Sequence, residues 1–175
     1  MRYVRIGLLM AFGAALLVLP NGIRLAASDS DVVQQMKDRE EIEALMWKYA
    51  RALDSFNAEA YASVYTPDGQ FGAGANATKG TDALKKMITD LKTNRAEREK
   101  TEPQPAMFHM EMNTYIELLG KDRARHHSYW QTVFAPTGRG AQPRVAAAGH
   151  GVDDLVKANG KWLIKMRNVS PGDSD

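Results

Sequence analysis

The sequence predicts an α+β domain in which helices come first and an antiparallel sheet follows. Two observations carry this. Up to residue 105 the apolar residues recur at spacings of three and four, the period of an amphipathic helix, and beyond Pro105 they recur at two, the period of a half-buried strand. Helical and extended segments do not alternate along the chain, so a parallel sheet built from βαβ units is not expected. With 175 residues, 44% of them hydrophobic, the chain suits one domain with a sizeable core, and a second domain would be a squeeze.

Taken in order, Ile42, Leu45, Met46, Tyr49 and Leu53 put one apolar face on a first helix over residues 38–54. Asn57 is an N-cap for a short second helix carrying Tyr61, Val64 and Tyr65, which the turn residues Thr66, Pro67, Asp68 and Gly69 close. Phe71 opens a strand, residues 72–77 read as loop, and Thr81 caps a third helix whose Leu84, Met87, Ile88 and Leu91 share a face. The polar, proline-closed run over residues 93–105 reads as a solvated helix end and loop. Long strands over residues 106–118, 123–134, 145–156 and 162–169 follow. Gly120 to Asp122 turn the first into the second, residues 136–144 form a loop, and Asn159-Gly160 makes the last tight hairpin. There is no internal repeat.

Arg2 and Arg5 precede an apolar run over residues 6–19, Pro20 stops it, and the small residues Ala26, Ala27 and Ser28 follow. This is the pattern of a secretory signal peptide, with a run shorter than the roughly 20 residues of a membrane-spanning helix. Residues 1–28 are therefore expected to be a cleaved leader and residues 29–175 the mature domain, periplasmic or secreted; an uncleaved anchor is the alternative. Loss of the leader removes three arginines and no acid, which takes the balance from 23 basic against 21 acidic residues to 20 against 21. A near-neutral domain gives no reason to expect a nucleic acid or an anionic membrane surface as partner. The absence of cysteine excludes disulfides, thiolate chemistry and a lipid-modified N-terminal cysteine.

On the first long strand strict alternation projects Met107, His109, Glu111, Asn113 and Tyr115 to one face, and Phe108, Met110, Met112, Thr114 and Ile116 to the other. A polar face can be plain solvent exposure, but His109, Asn113 and Tyr115 can donate, accept and exchange protons, as pocket-lining groups do. His126 and His127 point to opposite faces, with Trp130 on the His126 side. His150 shares a face with Val152 and Asp154, while Asp153 lies on the other with Gly149 and Gly151. The four histidines show no metal-ligand spacing, and no phosphate-cradling loop, dinucleotide fingerprint or serine nucleophile elbow is present, so neither metal nor cofactor is expected.

The runs IEALMWKYARALDSFNAEAYASVYTPDGQF, KGTDAL, FHMEMNTYIELLGKDRARHHSYW and GVDDLVKANGKWLIKMR together resemble a SnoaL-like domain of the nuclear transport factor 2-like superfamily. The resemblance implies a cystatin-like cone: three N-terminal helices packed against a strongly curved, mostly antiparallel sheet, with a pocket between them. Scytalone dehydratase-type and dehydrochlorinase-type members are similar in having an aspartate at the end of the first helix and a histidine on the first long strand, and the resemblance makes Asp54 and His109 a catalytic dyad. The carboxylate would orient and charge the imidazole, which removes a proton from carbon or returns one, as an imidazole can near neutral pH. Asn113 matches a polar position that would hold a substrate oxygen, and Tyr49, Tyr61 and Trp130 join it as substrate-binding candidates. The tyrosines and the arginine with which those members bind leaving groups have no secure match, so their particular reactions do not carry over.

The expected function is a cofactor-independent lyase or isomerase acting on a small, largely apolar organic molecule. The alternative is a non-catalytic periplasmic binding protein for such a molecule, and a third reading is an interaction module, since the resemblance also implies a homodimer or homotrimer formed through the outer face of the sheet. If the stripe Phe108, Met110, Met112 and Ile116 faced the pocket, the dyad could not form.

Overall fold

A computed structural model of the protein describes residues 28–136 and 138–170. The expected leader lies outside the described residues except for Ser28, which caps the first helix.

Helix α1 (Asp29–Asp54) begins nine residues earlier than the apolar period predicts. Its start is set by a capping box: the Ser28 hydroxyl accepts the Asp31 N–H, and the Asp31 carboxylate accepts the Ser28 N–H. Residues 29–37 are exposed on every side, so no hydrophobic period could mark them. From Asp38 onward one face is buried. Asp38 itself accepts hydrogen bonds from Lys157 (2.6 Å) and Trp162 (3.0 Å), which tie the helix to the sheet, and from Gln34 (3.2 Å) one turn earlier on α1.

That cluster fixes the sign of a pH dependence. Burial disfavours the Asp38 charge, but hydrogen bonds from Lys157, Trp162 and Gln34 outweigh it and hold the carboxyl below its ordinary 3.8. The hydrogen bond to Asp38 in turn lifts Lys157 above 10.5. A depressed acid stabilises above its unfolded value and loses that contribution as pH falls through its folded value; a raised base does the reverse at the alkaline end. Asp38→Asn is therefore expected to lower stability by about 1–2 kcal/mol at pH 7, where it leaves a poorly exposed ammonium with Glu41, 3.4 Å away, as its remaining carboxylate, and by clearly less at pH 3. Urea midpoints at the two pH values check this, and an equal deficit at both would refute it.

Helix α2 (Ala58–Ser63) is capped by Asn57, whose side chain accepts the Ala60 N–H at 3.0 Å. It stops sooner than the sequence suggests. Tyr65 and the turn-like residues after it belong to strand β1 (Tyr65–Phe71), which Phe71 ends rather than begins. Strand β2 (Thr78–Lys79) pairs with β1, and helix α3 (Thr81–Glu99) follows, with Gly80 at φ 83° and not Thr81 in the cap position.

Strands β3 (Ala106–Leu118), β4 (Arg123–Ala135), β5 (Arg144–Ala158) and β6 (Lys161–Asn168) form an antiparallel meander. Its last hairpin turns on Asn159 and Gly160, both at positive φ. β1 joins it parallel to β6, with an irregular register between Tyr65 and Gln70 that absorbs Pro67 and Asp68. Gly69 is needed within that irregularity, because a Cβ there would lie 2.9 Å from the Tyr65 Cβ and 3.0 Å from the Ile164 carbonyl oxygen.

The result is one curved, open sheet in the order β2-β1-β6-β5-β4-β3, with three helices. Because β1 and β2 intervene between α2 and α3, the helices are not an uninterrupted N-terminal block. Ile42, Tyr61, Leu84, Ile88, Leu155 and Ile164 are fully buried between the layers. No described helix is long and apolar enough to cross a membrane.

Candidate active site

Strand β3 does not alternate strictly. Met112 pairs with Tyr129 and Tyr115 with His127, so Asn113 and Thr114 together oppose Ser128, and Asn113 takes φ 50°. This is a bulge, in the left-handed conformation that asparagine tolerates better than most residues. It reverses the faces along the strand. His109 and Glu111 point inward before it, Ile116 and Leu118 after it.

Three expectations change as a result. Asn113 is exposed and does not share the His109 face, so it cannot hold a substrate oxygen there. Tyr115 is exposed against the His127 ring. The apolar stripe is split: Phe108 and Met110 face out, whereas Ile116 is buried.

Asp54 is the last residue of α1, where the helix dipole disfavours a negative charge. Two donors offset that. Its Oδ1 accepts the His109 backbone N–H at 2.9 Å and lies 2.8 Å from His109 Nδ1. An oxygen already accepting a backbone N–H has no proton to offer, so Nδ1 carries the hydrogen, and Nε2 of the neutral ring holds the free lone pair. Nε2 has no protein partner among the described residues. The side chains are 22% and 8% exposed for His109 and Asp54, sheltered but reachable.

His109 lines three cavities: one of about 550 Å³ between α1 and β3, bordered also by Asp54, Phe108, Met110, Glu111 and His126, and two adjoining chambers on the other side. The inner one, about 200 Å³, is walled by Tyr49, Trp130, Thr132, Ala147 and Arg167. The outer one, about 590 Å³, shares Leu53, Phe71 and His109 with it and opens between the end of α3, residues 102–105 and the start of β5. Trp130 is pinned: its indole N–H donates to the carbonyls of His150 (3.1 Å) and Val169 (3.0 Å). The ring lies over Gly149, where a Cβ would come within 2.8 Å of it.

Tyr49, Tyr61 and Tyr65 form an aromatic cluster, with ring centroids 5.3 to 6.4 Å apart. The Tyr61 and Tyr65 hydroxyls are 3.1 Å apart, and burial pushes the pKa of all three phenols up, well above 10 for those two. Tyr49 borders the inner chamber. Tyr61 borders the outer chamber, but its hydroxyl is spent on Tyr65.

Arg167 is the residue that sequence reasoning missed. It is 2% exposed, donates to Asp153 at 2.6 Å and to Glu111, and stands 4.1 Å from the Tyr49 ring centroid. Asp153, fully buried, also meets His126 Nδ1 at 3.1 Å. Burial works against the Arg167 charge, yet Asp153, Tyr49, Glu111 and Tyr65 outweigh it and hold the guanidinium pKa well above its ordinary value. A strict period of two from Trp162 and Ile164 would turn Arg167 outward. The β5–β6 register instead skips Lys165, pairing Ile164 with Leu155 and Met166 with Asp154, and Arg167 turns in. Among the described residues no three His, Cys, Asp or Glu side chains are grouped to hold a metal ion.

A curved sheet closed by helices over a chamber with a carboxylate–imidazole pair on its wall defines a pocketed α+β cone. The chain belongs to the SnoaL-like domain family, whose model matches residues 34–168. Solved structures share the fold. A nuclear transport factor 2-like protein with a cystatin-like fold from Novosphingobium aromaticivorans is 20% identical, with a TM-score of 0.67 over 85% of this chain and 93% of that one. A provisionally named scytalone dehydratase from the same species is 22% identical, with a TM-score of 0.62 over 78% and 85% of the two chains. A protein of unknown function from Mycobacterium tuberculosis is 22% identical, with a TM-score of 0.64 over 79% and 73%. No curated protein matches the chain in sequence.

Proposed function

We propose that the protein is a cofactor-independent lyase or isomerase in which His109 moves a proton to and from carbon in a small, largely apolar organic molecule. The observation that carries this is the 2.8 Å contact of Asp54 with His109 Nδ1, which leaves Nε2 without a partner among the described residues on a ring that borders both chambers. Nε2 takes a proton from a carbon next to a carbonyl, a phenol or a leaving group, and Asp54 steadies the imidazolium that forms. The electron pair left behind becomes an enolate or expels the leaving group. In the first case the proton returns at another carbon; in the second it follows the leaving group. The likeness to a provisionally named scytalone dehydratase supports the same class. On the signal pattern and the resemblance we further propose a periplasmic or secreted homodimer or homotrimer.

A non-catalytic binding protein is the second reading, and one observation favours it: the Arg167 guanidinium and the Tyr61 hydroxyl are already bonded within the protein, so few groups are left to meet developing charge. Ligands that co-purify with residues 29–175, identified by mass spectrometry, are to be incubated with the protein in deuterium oxide. Carbon-bound deuterium or a new product is the expected outcome. Ligands recovered unchanged and unlabelled would leave only the binding reading.

A further inference from the structure

The two chambers differ in charge. The inner one holds one guanidinium, Arg167, which is paired with Glu111 and with the buried Asp153 behind it and keeps only its Nε without a partner among the described residues. The rim of the outer one carries three guanidinium groups, Arg95, Arg98 and Arg144, against one carboxylate, Glu102. Arg95 is committed: it donates to the carbonyls of Gln104 (3.1 Å) and Pro105 (2.6 Å) and lies over the Phe56 ring. Arg98 and Arg144 make no side-chain hydrogen bond or ion pair among the described residues, and the Arg144 guanidinium lies over the Phe134 ring, 4.9 Å from its centroid. A cation–π contact of this kind holds a guanidinium over the ring without using its N–H donors. Arg98 also lies in the last turn of α3, where a positive charge complements the helix dipole, but that role does not require it to border the chamber.

We propose that the ligand of this pocket is an organic anion: an apolar ring that enters the inner chamber against Trp130 and His109, bearing a carboxylate or sulfonate that Arg98 and Arg144 hold at the rim. The proposal rests on the reading above only in taking the chambers as the ligand site. It stands or falls independently of turnover, because charge selection is a property of binding.

Two fluorescent probes that share a naphthylamine body test it: 8-anilinonaphthalene-1-sulfonate, which is anionic, and N-phenyl-1-naphthylamine, which is neutral. In the R98Q/R144Q protein the sulfonate is expected to bind about fivefold or more weakly at low salt, the sum of two partly exposed charge pairs, while the neutral probe stays within about twofold of wild type. Sodium chloride near 0.5 M, where screening is short-ranged, should bring the wild-type protein to the same level. Ala147→Trp, which adds bulk to the wall of the inner chamber, should weaken both probes. Equal loss of both probes in R98Q/R144Q, no loss of either, or sulfonate binding untouched by Ala147→Trp would overturn the proposal. His109→Gln should leave the charge preference intact even where it stops turnover, which separates failure of this inference from failure of the catalytic reading.

Discussion

Arg167→Met is expected to destabilise the protein by about 3–5 kcal/mol, a large share of the about 5–15 kcal/mol that holds a domain of this kind together. The reason is the company Arg167 keeps. Asp153 is fully buried and Glu111 nearly so, and the one guanidinium bridges both. Its removal strands two carboxylates in a region where Asp153 Oδ1 and Ser128 Oγ already lack a partner among the described residues. The attraction within such a cluster barely exceeds the cost of desolvating it, so replacing the whole cluster should hurt less than removing its centre. The triple change Arg167→Met, Asp153→Leu and Glu111→Leu is accordingly expected to recover part of the loss. Urea denaturation reads both proteins, and a wild-type midpoint for Arg167→Met would show that the carboxylates do not depend on it.

The largest functional effect is expected at His109. With a substrate in hand, His109→Ala should lower kcat by about 10³-fold or more, and Asp54→Asn by about 10²–10⁴-fold, because an amide can offer Nδ1 a hydrogen and so favour the tautomer with the wrong nitrogen free. Stability should hardly follow. Asp54 keeps the backbone N–H of residue 109, 2.9 Å away, whatever side chain stands there, so His109→Ala forfeits one hydrogen bond and costs about 1 kcal/mol. The pair of measurements is a kcat and a melting curve on the same preparation. Retained turnover in His109→Ala would dispose of the proton-transfer mechanism; lost turnover with a collapsed melting curve would show a structural role instead.

The parts of this architecture legible in the sequence are those with local chemistry. The bounds of β3 and the hairpin at Asn159-Gly160 can be read because the turns between strands require residues that tolerate positive φ or a tight reversal. Asn57 was readable as a cap for the same reason. What the sequence hid falls into two kinds. The first turns of α1 touch nothing, so no apolar period records them, and β1 is built from residues that elsewhere make a turn, held extended only by β6 and by the space at Gly69. The second kind is register. Alternation places His109 correctly because no irregularity lies between it and the start of β3, and it misplaces Asn113 and Arg167 because each sits at or just beyond an extra residue that only the partner strand reveals.

The extra residue at Asn113 has a wider consequence. It lets a single strand belong to two layers: the stretch leading up to it presents ionisable groups to the hollow of the cone, and the stretch after it presents Ile116 and Leu118 to the packed interior. Were the chain one residue shorter at that point, the pleat would run uninterrupted, and either the imidazole or the two aliphatic side chains would have to face water. Reactive wall and sealed floor thus coexist on one ribbon because it sets two residues where its partner sets one.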